Sequence, residues 1–260
     1  MIYLVPFIVA FLTSLLLTPQ IRKWALKNNI VAMPGARKIH TKPVAYLGGV
    51  AIFLGFLLPA VTFLPMSRRF ISLIIGVSML VIVGVIDDMK PINPWFKLGW
   101  QILAACVVLA GGIGIQVITN PFGGVIDLTA GRFAVGAYHV TPIGNLLTIL
   151  WIVGLVNVVN FMDGLDGLAA GVSAISAFVL FCLAAGGNVH QPIVAVLAII
   201  TVGAALGFLP YNFFPAKIFM GDGGAYFLGT VLALLAVYSG GKLATAGLVL
   251  GFAIFDGVWA

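Results

Sequence analysis

The sequence has 260 residues, of which 62% are hydrophobic and only 8% are charged. Soluble domains carry about 25% charged residues, so this composition excludes a soluble globular protein. The apolar runs are too many and too long for a signal peptide followed by a soluble body, and we predict a polytopic membrane protein.

The apolar runs predict a bundle of transmembrane helices that forms one domain over residues 1–260. Windows of about 19 residues give nine candidate spans. They are residues 2–19, 46–65, 71–87, 96–116, 144–160, 168–187, 191–210, 223–240 and 243–259. We therefore predict an all-α fold, in which residues 117–143 add a small β-hairpin or an irregular cap.

The charged residues predict which side of the membrane each loop faces. With nine spans, nine of the 13 Lys and Arg residues fall on one side, which the positive-inside rule assigns to the cytoplasm. The N-terminus is then outside, and residues 117–143 are extracytoplasmic. Six of the seven acidic residues share the cytoplasmic side, namely Asp87, Asp88, Asp163, Asp166, Asp222 and Asp256. We therefore predict a single acidic site at the cytoplasmic face.

The first cytoplasmic loop is basic, and it contains Arg37, Lys38, His40 and Lys42. These side chains could bind a phosphate group. They could equally be only the positive-inside signal that orients the chain in the membrane. The sequence leaves both interpretations open.

The third predicted span ends in the pair Asp87-Asp88. Adjacent carboxylates repel each other, so this pair calls for a cation, a role in proton transfer or generous solvation. Lys97 follows at the start of the fourth span, where a lysine either extends to the membrane interface or pairs with phosphate. A solvated helix end is the alternative interpretation of the aspartate pair.

The stretch from Asn157 to Gly167 gathers polar side chains between two long apolar runs. Asn157, Asn160, Asp163 and Asp166 are spaced three residues apart, so on a continuous helix they would share one face. Ionisable residues at membrane depth are costly unless they face protein, water or an ion. This stretch is a candidate active site; the alternative is a polar loop in which Asp166 caps the next helix.

The loop from Asn212 to Gly224 joins the seventh and eighth spans. Its glycines permit close backbone approach, Asp222 offers an oxygen ligand and Phe219 offers an aromatic face. Proteins commonly hold Mg²⁺ and its phosphates through one or two carboxylates. We predict such a site here, although a glycine-rich turn with Asp222 as a helix cap has the same composition.

Together these motifs resemble the polyprenyl-phosphate N-acetylhexosamine-1-phosphate transferases, integral membrane enzymes of the glycosyltransferase 4 type. The resemblance keeps the family's order and spacing and covers essentially the whole chain. The matches are Arg37-Lys38-Ile39-His40 with Gly48-Gly49, Asp87-Asp88, NVVNFMDGLDGLAAG from Asn157, and PAKIFMGDGG from Pro215. The first loop is more similar to the GlcNAc-1-phosphate transferase branch than to the phospho-MurNAc-pentapeptide branch.

The resemblance implies transfer of a sugar-1-phosphate, GlcNAc-1-phosphate in that branch, from a UDP-sugar to undecaprenyl or another polyprenyl phosphate, with release of UMP. This is the first membrane step in the synthesis of cell-envelope polymers such as lipopolysaccharide or teichoic acid. The resemblance also implies a Mg²⁺ cofactor, which Mn²⁺ could replace. The predicted site comprises Asp87, Asp88 and Asn160 for catalysis, Asp222 and Asp163 for the metal, and Lys97, Phe219, Asn157, Asp166, Arg37, Lys38, His40 and Lys42 for the substrates.

The expected mechanism is direct attack by the lipid phosphate. The second pKa of a phosphate monoester is near 6, so the acceptor is already largely dianionic at neutral pH. Asp87 or Asp88 would then align it or remove a residual proton. A covalent aspartyl intermediate on the same pair is the alternative. The expected partners are the UDP-sugar, the lipid phosphate, the plasma (inner) membrane and a second copy in a homodimer, with no nucleic acid.

Two other functions stay open at this point. The same chemistry could transfer phospho-MurNAc-pentapeptide, and a secondary transporter could also hold acidic residues within a membrane. A transporter is disfavoured because the acids cluster at helix ends and the two halves of the sequence do not match. The family that the chain resembles has a tenth span, and the GlcNAc branch carries a His-rich cytoplasmic loop after the ninth. This sequence stops just after Phe255-Asp256, so we expect a C-terminally truncated chain.

Overall fold

Helices dominate the part of the chain that the structure covers. The computed structural model describes residues 2–33, 43–119, 123–129, 131–135, 138–186 and 191–238. In these residues the helices are α1 Leu4–Lys27, α2 Gly48–Phe63, α3 Arg68–Met89, α4 Pro94–Ala110, α5 Pro142–Met162, α6 Leu168–Ala185, α7 Pro192–Asn212 and α8 Gly221–Tyr238. The predicted all-α class is confirmed.

Six of these helices are long and apolar enough to cross a membrane, namely α1, α3, α5, α6, α7 and α8. The helices α2 and α4 are also apolar but have only 16 and 17 residues. Both still coincide with predicted spans, whereas the predicted ninth span, 243–259, lies outside the described residues. The chain is therefore a multi-pass membrane protein, but the structure does not support the predicted count of nine spans.

Two predicted spans end at the wrong residue. The helix α1 continues to Lys27, beyond the predicted end at residue 19, and the fourth span was predicted to reach residue 116. The helix α4 ends at Ala110, because Gly111 and Gly112 follow it and Gly112 adopts a φ of +88°. That conformation is open to glycine but breaks a right-handed helix. The chain then runs in an extended form towards the first strand of the predicted cap.

The helix α8 lies at the centre of the bundle. It packs most extensively on α3 and α5, and it also contacts α2, α6 and α7. From Gly221 to Val237 every residue except Asp222 is buried. A helix that is apolar on all sides is buried on all sides. Asp222 is thus the one charged side chain that the first turn of this central helix carries.

Glycine pairs let α2 and α3 approach the start of α8 backbone to backbone. A Cβ atom on Gly49 would lie 2.1 Å from the amide nitrogen of Gly224, and one on Gly84 would lie 2.4 Å from that of Gly223. Small residues allow such close helix packing in membranes. The ends of α2 and α3 are thereby fixed next to Asp222.

Short antiparallel strand pairs supplement the helices. The strands β1 Val31–Ala32 and β2 Val44–Ala45 pair beside α2, with Val31 opposite Ala45. The segment predicted as a single hairpin contains two in its described residues. They are β3 Val117–Thr119 with β4 Val125–Asp127, and β5 Phe133–Val135 with β6 Tyr138–Val140.

The loop between α7 and α8 is held against the chain that leads into α2. The Phe219 amide donates to the Ala45 carbonyl at 2.8 Å, and the Gly48 amide donates to the Phe219 carbonyl at 2.9 Å. The Gly49 amide donates to the Met220 carbonyl at 2.8 Å. The segments 45–49 and 218–220 therefore form one backbone-bonded unit, and it lies at the start of α8.

Candidate active site

A lysine joins two carboxylates from different helices at one end of the bundle. The Lys97 Nζ, near the start of α4, pairs with Asp87 Oδ2 at the end of α3 and lies 3.2 Å from Asp222 Oδ2 in α8. The side chains of Lys97 and Asp222 are 23% and 27% exposed, so the group opens to solvent on one side. Residues separated by up to 135 positions in sequence thus meet at one point.

Asp222 is held by further donors on both of its oxygens. The side-chain amide of Asn160, in the last turn of α5, donates to Oδ1 at 2.9 Å. The hydroxyl of Tyr226 donates to Oδ2 at 3.3 Å. Tyr226 was not predicted as a site residue, although it follows Asp222 by four positions, the spacing that puts two side chains on one helix face. These contacts fix the direction in which the Asp222 carboxylate points.

The adjacent aspartates at the end of α3 face different groups. Asp87 accepts the Ile92 amide at 2.8 Å through Oδ1 and pairs with Lys97 through Oδ2. Asp88 instead accepts two backbone amides of α8, from Asp222 at 2.8 Å and from Gly223 at 3.3 Å. Within the protein, the two adjacent carboxylates therefore have separate partners.

Asp163 adds a further carboxylate to the same region. It follows the last residue of α5 as the C-cap, outside the helix. Burial raises the pKa of Asp163 well above its usual range, and repulsion from Asp88 and Asp222 raises it further, whereas the Gly221 amide acts in the opposite direction. This carboxylate thus lies in a locally negative environment.

The donor set fits a Mg²⁺ ion held partly by its substrate. Among the described residues no group of three or more His, Cys, Asp or Glu side chains is arranged to hold a metal ion by itself. Mg²⁺, however, is usually bound through one or two carboxylates together with substrate phosphates and water. Asp222 and Asp163 supply such carboxylates, and in the described residues Lys97 is the one cation that pairs with this acidic group.

The stretch from Asn157 to Asp166 is not one continuous helix, because α5 ends at Met162. Asn157 and Asn160 share the helix, but Asp163 and Asp166 lie in the turn that follows. Asn157 lies a turn deeper and donates to Gln101 Oε1 at 2.9 Å and to the Val153 carbonyl at 2.8 Å. Its amide thus ties α5 to the buried Gln101 of α4.

Asp166 connects two loops of the site. Its Oδ2 accepts the Ala216 amide at 2.9 Å. The next residue, Gly167, donates its amide to Asn212 Oδ1 at 3.1 Å, and the buried Asn212 donates to the Ile218 carbonyl at 3.1 Å. Asp166 is therefore not a simple cap of α6, since its carboxylate holds the loop that carries Phe219.

Aromatic rings border the acidic group. The ring centroids of Phe219 and Tyr46 lie 5.9 Å apart, with the planes tilted by 51°. Burial raises the pKa of Tyr46, and the carboxylates of Asp88, Asp222 and Asp163 raise it further. Nothing in the sequence pattern singled out Tyr46, because its approach depends on the backbone bonds between residues 45–49 and 218–220.

The predicted basic loop cannot be compared with this arrangement. Arg37, Lys38, His40 and Lys42 lie outside the described residues, as does Asp256. Their predicted roles stay predictions.

Comparison with known proteins gives a consistent set of similarities. Residues 70–240 match the model of a family described as Glycosyl transferase family 4. The chain is 36% identical over 263 residues to a probable undecaprenyl-phosphate N-acetylglucosaminyl 1-phosphate transferase of Bacillus subtilis (strain 168), covering 98% of this chain and 70% of the relative. It is 32% identical over 247 residues to a decaprenyl-phosphate N-acetylglucosaminephosphotransferase of Mycobacterium tuberculosis (strain ATCC 25618 / H37Rv), covering 87% of this chain and 57% of the relative.

The chain is also similar to a relative whose name indicates a different donor sugar. The phospho-N-acetylmuramoyl-pentapeptide-transferase of Citrifermentans bemidjiense is 36% identical over 263 residues, covering 88% of this chain and 71% of the relative. The chain thus spans between about half and three quarters of the length of these relatives.

Proposed function

Because the chain belongs to glycosyl transferase family 4, we propose that it transfers GlcNAc-1-phosphate from UDP-GlcNAc to a polyprenyl phosphate and releases UMP. The products are a lipid diphosphate-sugar and UMP. The proposal rests on the names of the relatives and on one feature of the site, the Lys97 ammonium between Asp87 and Asp222.

The Lys97 cluster suits a reaction between two anionic phosphates. The Lys97 side chain is partly exposed, so a diphosphate entering from solvent can reach its ammonium group while Asp87 and Asp222 keep that group in position. Phosphoryl transfer depends mainly on positioning and on stabilising charge around the transferred phosphorus. Fixed groups from α3, α4, α5 and α8 provide both.

Asp222 and Asp163 are the side chains we propose for holding Mg²⁺. When bound, the ion neutralises charge on the diphosphate of the donor. Asn160 and Tyr226 then hold the Asp222 carboxylate in a fixed orientation through their bonds of 2.9 and 3.3 Å. Phe219 and Tyr46 offer aromatic surface for the uracil at the edge of the site.

The proposed step is a direct displacement at phosphorus. An oxygen of the lipid phosphate forms a bond to the phosphorus that carries the sugar, the bond from that phosphorus to the bridging oxygen breaks, and UMP leaves with the electron pair. Asp87 lies beside Lys97, where it can align the incoming phosphate or take a residual proton. A covalent aspartyl intermediate would instead allow labelled UMP to exchange into UDP-GlcNAc without any lipid acceptor.

A second sugar nucleotide is also a candidate donor. The similarity to a phospho-N-acetylmuramoyl-pentapeptide-transferase makes UDP-MurNAc-pentapeptide the second candidate donor. The same groups would act on its diphosphate, because the two donors share the UDP part and differ only in the lactyl-pentapeptide group attached to the sugar. UDP-GlcNAc is favoured by the names of the Bacillus and Mycobacterium relatives.

The membrane orientation is also part of the proposal. The acidic group lies at the ends of α3 and α5 and at the starts of α4 and α8, which are the ends that the positive-inside rule assigns to the cytoplasm. The site then faces the cytoplasm, where UDP-sugars are made, with the N-terminus outside the plasma membrane. A homodimer is compatible with this orientation.

The deciding experiment measures UMP release by the detergent-purified full-length protein with undecaprenyl phosphate. UDP-GlcNAc and UDP-MurNAc-pentapeptide are compared, each with Mg²⁺ or with EDTA, and Asp222→Ala serves as the inactive control. Release from UDP-GlcNAc that requires lipid, Mg²⁺ and Asp222 supports the proposal. UMP release from the pentapeptide donor alone would identify that donor as the substrate. No release from either donor would contradict the transferase activity.

A further inference from the structure

The second aspartate of the Asp87-Asp88 pair contacts the backbone of α8. Its Oδ1 accepts the Asp222 amide at 2.8 Å and its Oδ2 lies 3.3 Å from the Gly223 amide. From these contacts we infer that Asp88 is a positioning residue, which caps the N-terminus of α8 from a neighbouring helix and so fixes the carboxylate of Asp222. The inference rests on the proposed function only in treating Asp222 as a group that meets the substrate.

The start of α8 requires a cap from outside its own sequence. The first turn of a helix has amides without partners inside the helix, and a side-chain oxygen just before the helix usually accepts one of them. In this chain Met220 precedes Gly221, and a methionine side chain has no such oxygen. Asp88 supplies the acceptors instead, and its negative charge lies where a helix N-terminus favours an anion.

The local backbone is fitted to this contact. Gly221 adopts a φ of +75°, and a Cβ atom on it would lie 2.4 Å from Asp88 Oδ2. Gly84, one turn before Asp88, lets α3 come within backbone contact of Gly223. A side chain at either glycine would push the capping carboxylate away from the amides that it holds.

The hydrogen bonds to Asp88 directly fix the backbone position of Asp222. The amide with the shortest hydrogen bond to Asp88 belongs to Asp222 itself. Its nitrogen is bonded to the Cα that carries the carboxylate proposed to hold Mg²⁺. Asp87, by contrast, points to Lys97. The two neighbouring carboxylates therefore have separate tasks, since Asp87 faces the phosphate-binding lysine and Asp88 sets the backbone of α8.

Hydrogen–deuterium exchange tests the cap without any substrate. In the detergent-solubilised full-length protein without Mg²⁺, Asp88→Ala should speed exchange of the amides of residues 222 and 223 by about tenfold. Asp88→Asn should give an intermediate rate, because it keeps one accepting oxygen. Asp87→Ala is the matched control, and it should leave these amides at the wild-type rate. Unchanged exchange in Asp88→Ala would overturn the inference.

UMP release as a function of Mg²⁺ concentration and pH adds a second readout. A positioning role predicts that Asp88→Asn keeps the wild-type pH profile, needs more Mg²⁺ for half-maximal rate and loses less activity than Asp88→Ala. If Asp88→Asn is as inactive as Asp88→Ala at saturating Mg²⁺ and every pH, Asp88 acts in the chemistry and the inference is wrong. Wild-type protein that releases no UMP would refute the proposed function, while the exchange rates would still decide the cap.

Discussion

Asn160 donates a hydrogen bond of 2.9 Å to Asp222, which joins the last turn of α5 to the first turn of α8. The bond leaves the Asp222 carboxylate with a neutral donor on Oδ1 and the charged Lys97 on Oδ2. A neutral donor and a cation on the two oxygens of one carboxylate hold it in one orientation.

Changing Asn160 should lower the rate of the proposed transfer in a graded way. Asn160→Ala should reduce kcat by about 10- to 100-fold, because a hydrogen bond to a charged group is worth about 1.5 to 3 kcal/mol. Asn160→Asp should reduce it more, since it sets a second carboxylate against Asp222. Initial rates of UMP release measure both, with Asn145→Ala near the opposite end of α5 as the control. Equal rates for Asn160→Ala and wild type would contradict the role of this bond.

Removing the charge of Lys97 should lower the rate of transfer more than changing the shape of its side chain. Lys97→Gln should reduce kcat by about 100-fold or more, as is usual when a donor to transition-state charge is lost. Lys97→Arg keeps the charge and should retain more activity. Lys90→Gln removes an exposed lysine just after α3 and should leave the rate unchanged. A Lys97→Gln enzyme that regains the wild-type rate at high Mg²⁺ would argue against a separate role for the lysine.

Added methyl groups at the helix contacts should destabilise the fold. Gly49→Ala puts a Cβ atom 2.1 Å from the Gly224 backbone, and overpacking of this kind costs about 1 to 3 kcal/mol. Gly154→Ala is the matched control, because nothing lies within 4 Å of a Cβ at that position. Thermal unfolding in detergent should show a lower Tm for Gly49→Ala and a wild-type or slightly higher Tm for Gly154→Ala. Equal Tm values for the two variants would show that α2 can move away from α8.

Mg²⁺ and UDP together should stabilise the protein more than either does alone. Few protein ligands are available to Mg²⁺, so the phosphates complete its coordination, and any ligand that binds only the folded state raises the Tm. Thermal unfolding should therefore show a synergistic shift in wild type and in Asp127→Ala. In Asp222→Ala the synergy should vanish. A variant without Asp222 that still shows the full shift would place the ion elsewhere.

The sequence predicted the membrane fold and the family because these depend on local signals. Within the described residues each predicted apolar run contains a helix, although α1 ends later and α4 earlier than predicted. The motifs around Asp87, Asn160 and Asp222 indicated the family. The predicted enzyme class agrees with the names of the relatives. The roles of the single side chains and of Mg²⁺ stay predictions.

The different partners of Asp87 and Asp88 could not be predicted from the sequence. Adjacent residues on a helix point about 100° apart, and only the packing of α3 on α8 decides which of them meets Lys97. The role of Tyr46 was hidden for a similar reason, because the backbone bonds between residues 45–49 and 218–220 bring it close to the site. The shared face expected on a continuous helix from Asn157 to Asp166 does not extend beyond Met162, since the helix ends there.

The contact between Lys97 and Asp222 spans 125 residues of chain, whereas Lys97 follows Asp87 by only ten. During synthesis α3 and α4 therefore leave the ribosome long before α8. Asp87 and Lys97 belong to helices joined by a short turn, so they can pair as soon as α3 and α4 pack together. Asp222 can join this pair only after α8 has been made, because it lies 125 residues beyond Lys97. The last partner of the ionic centre is thus also the last to be synthesised.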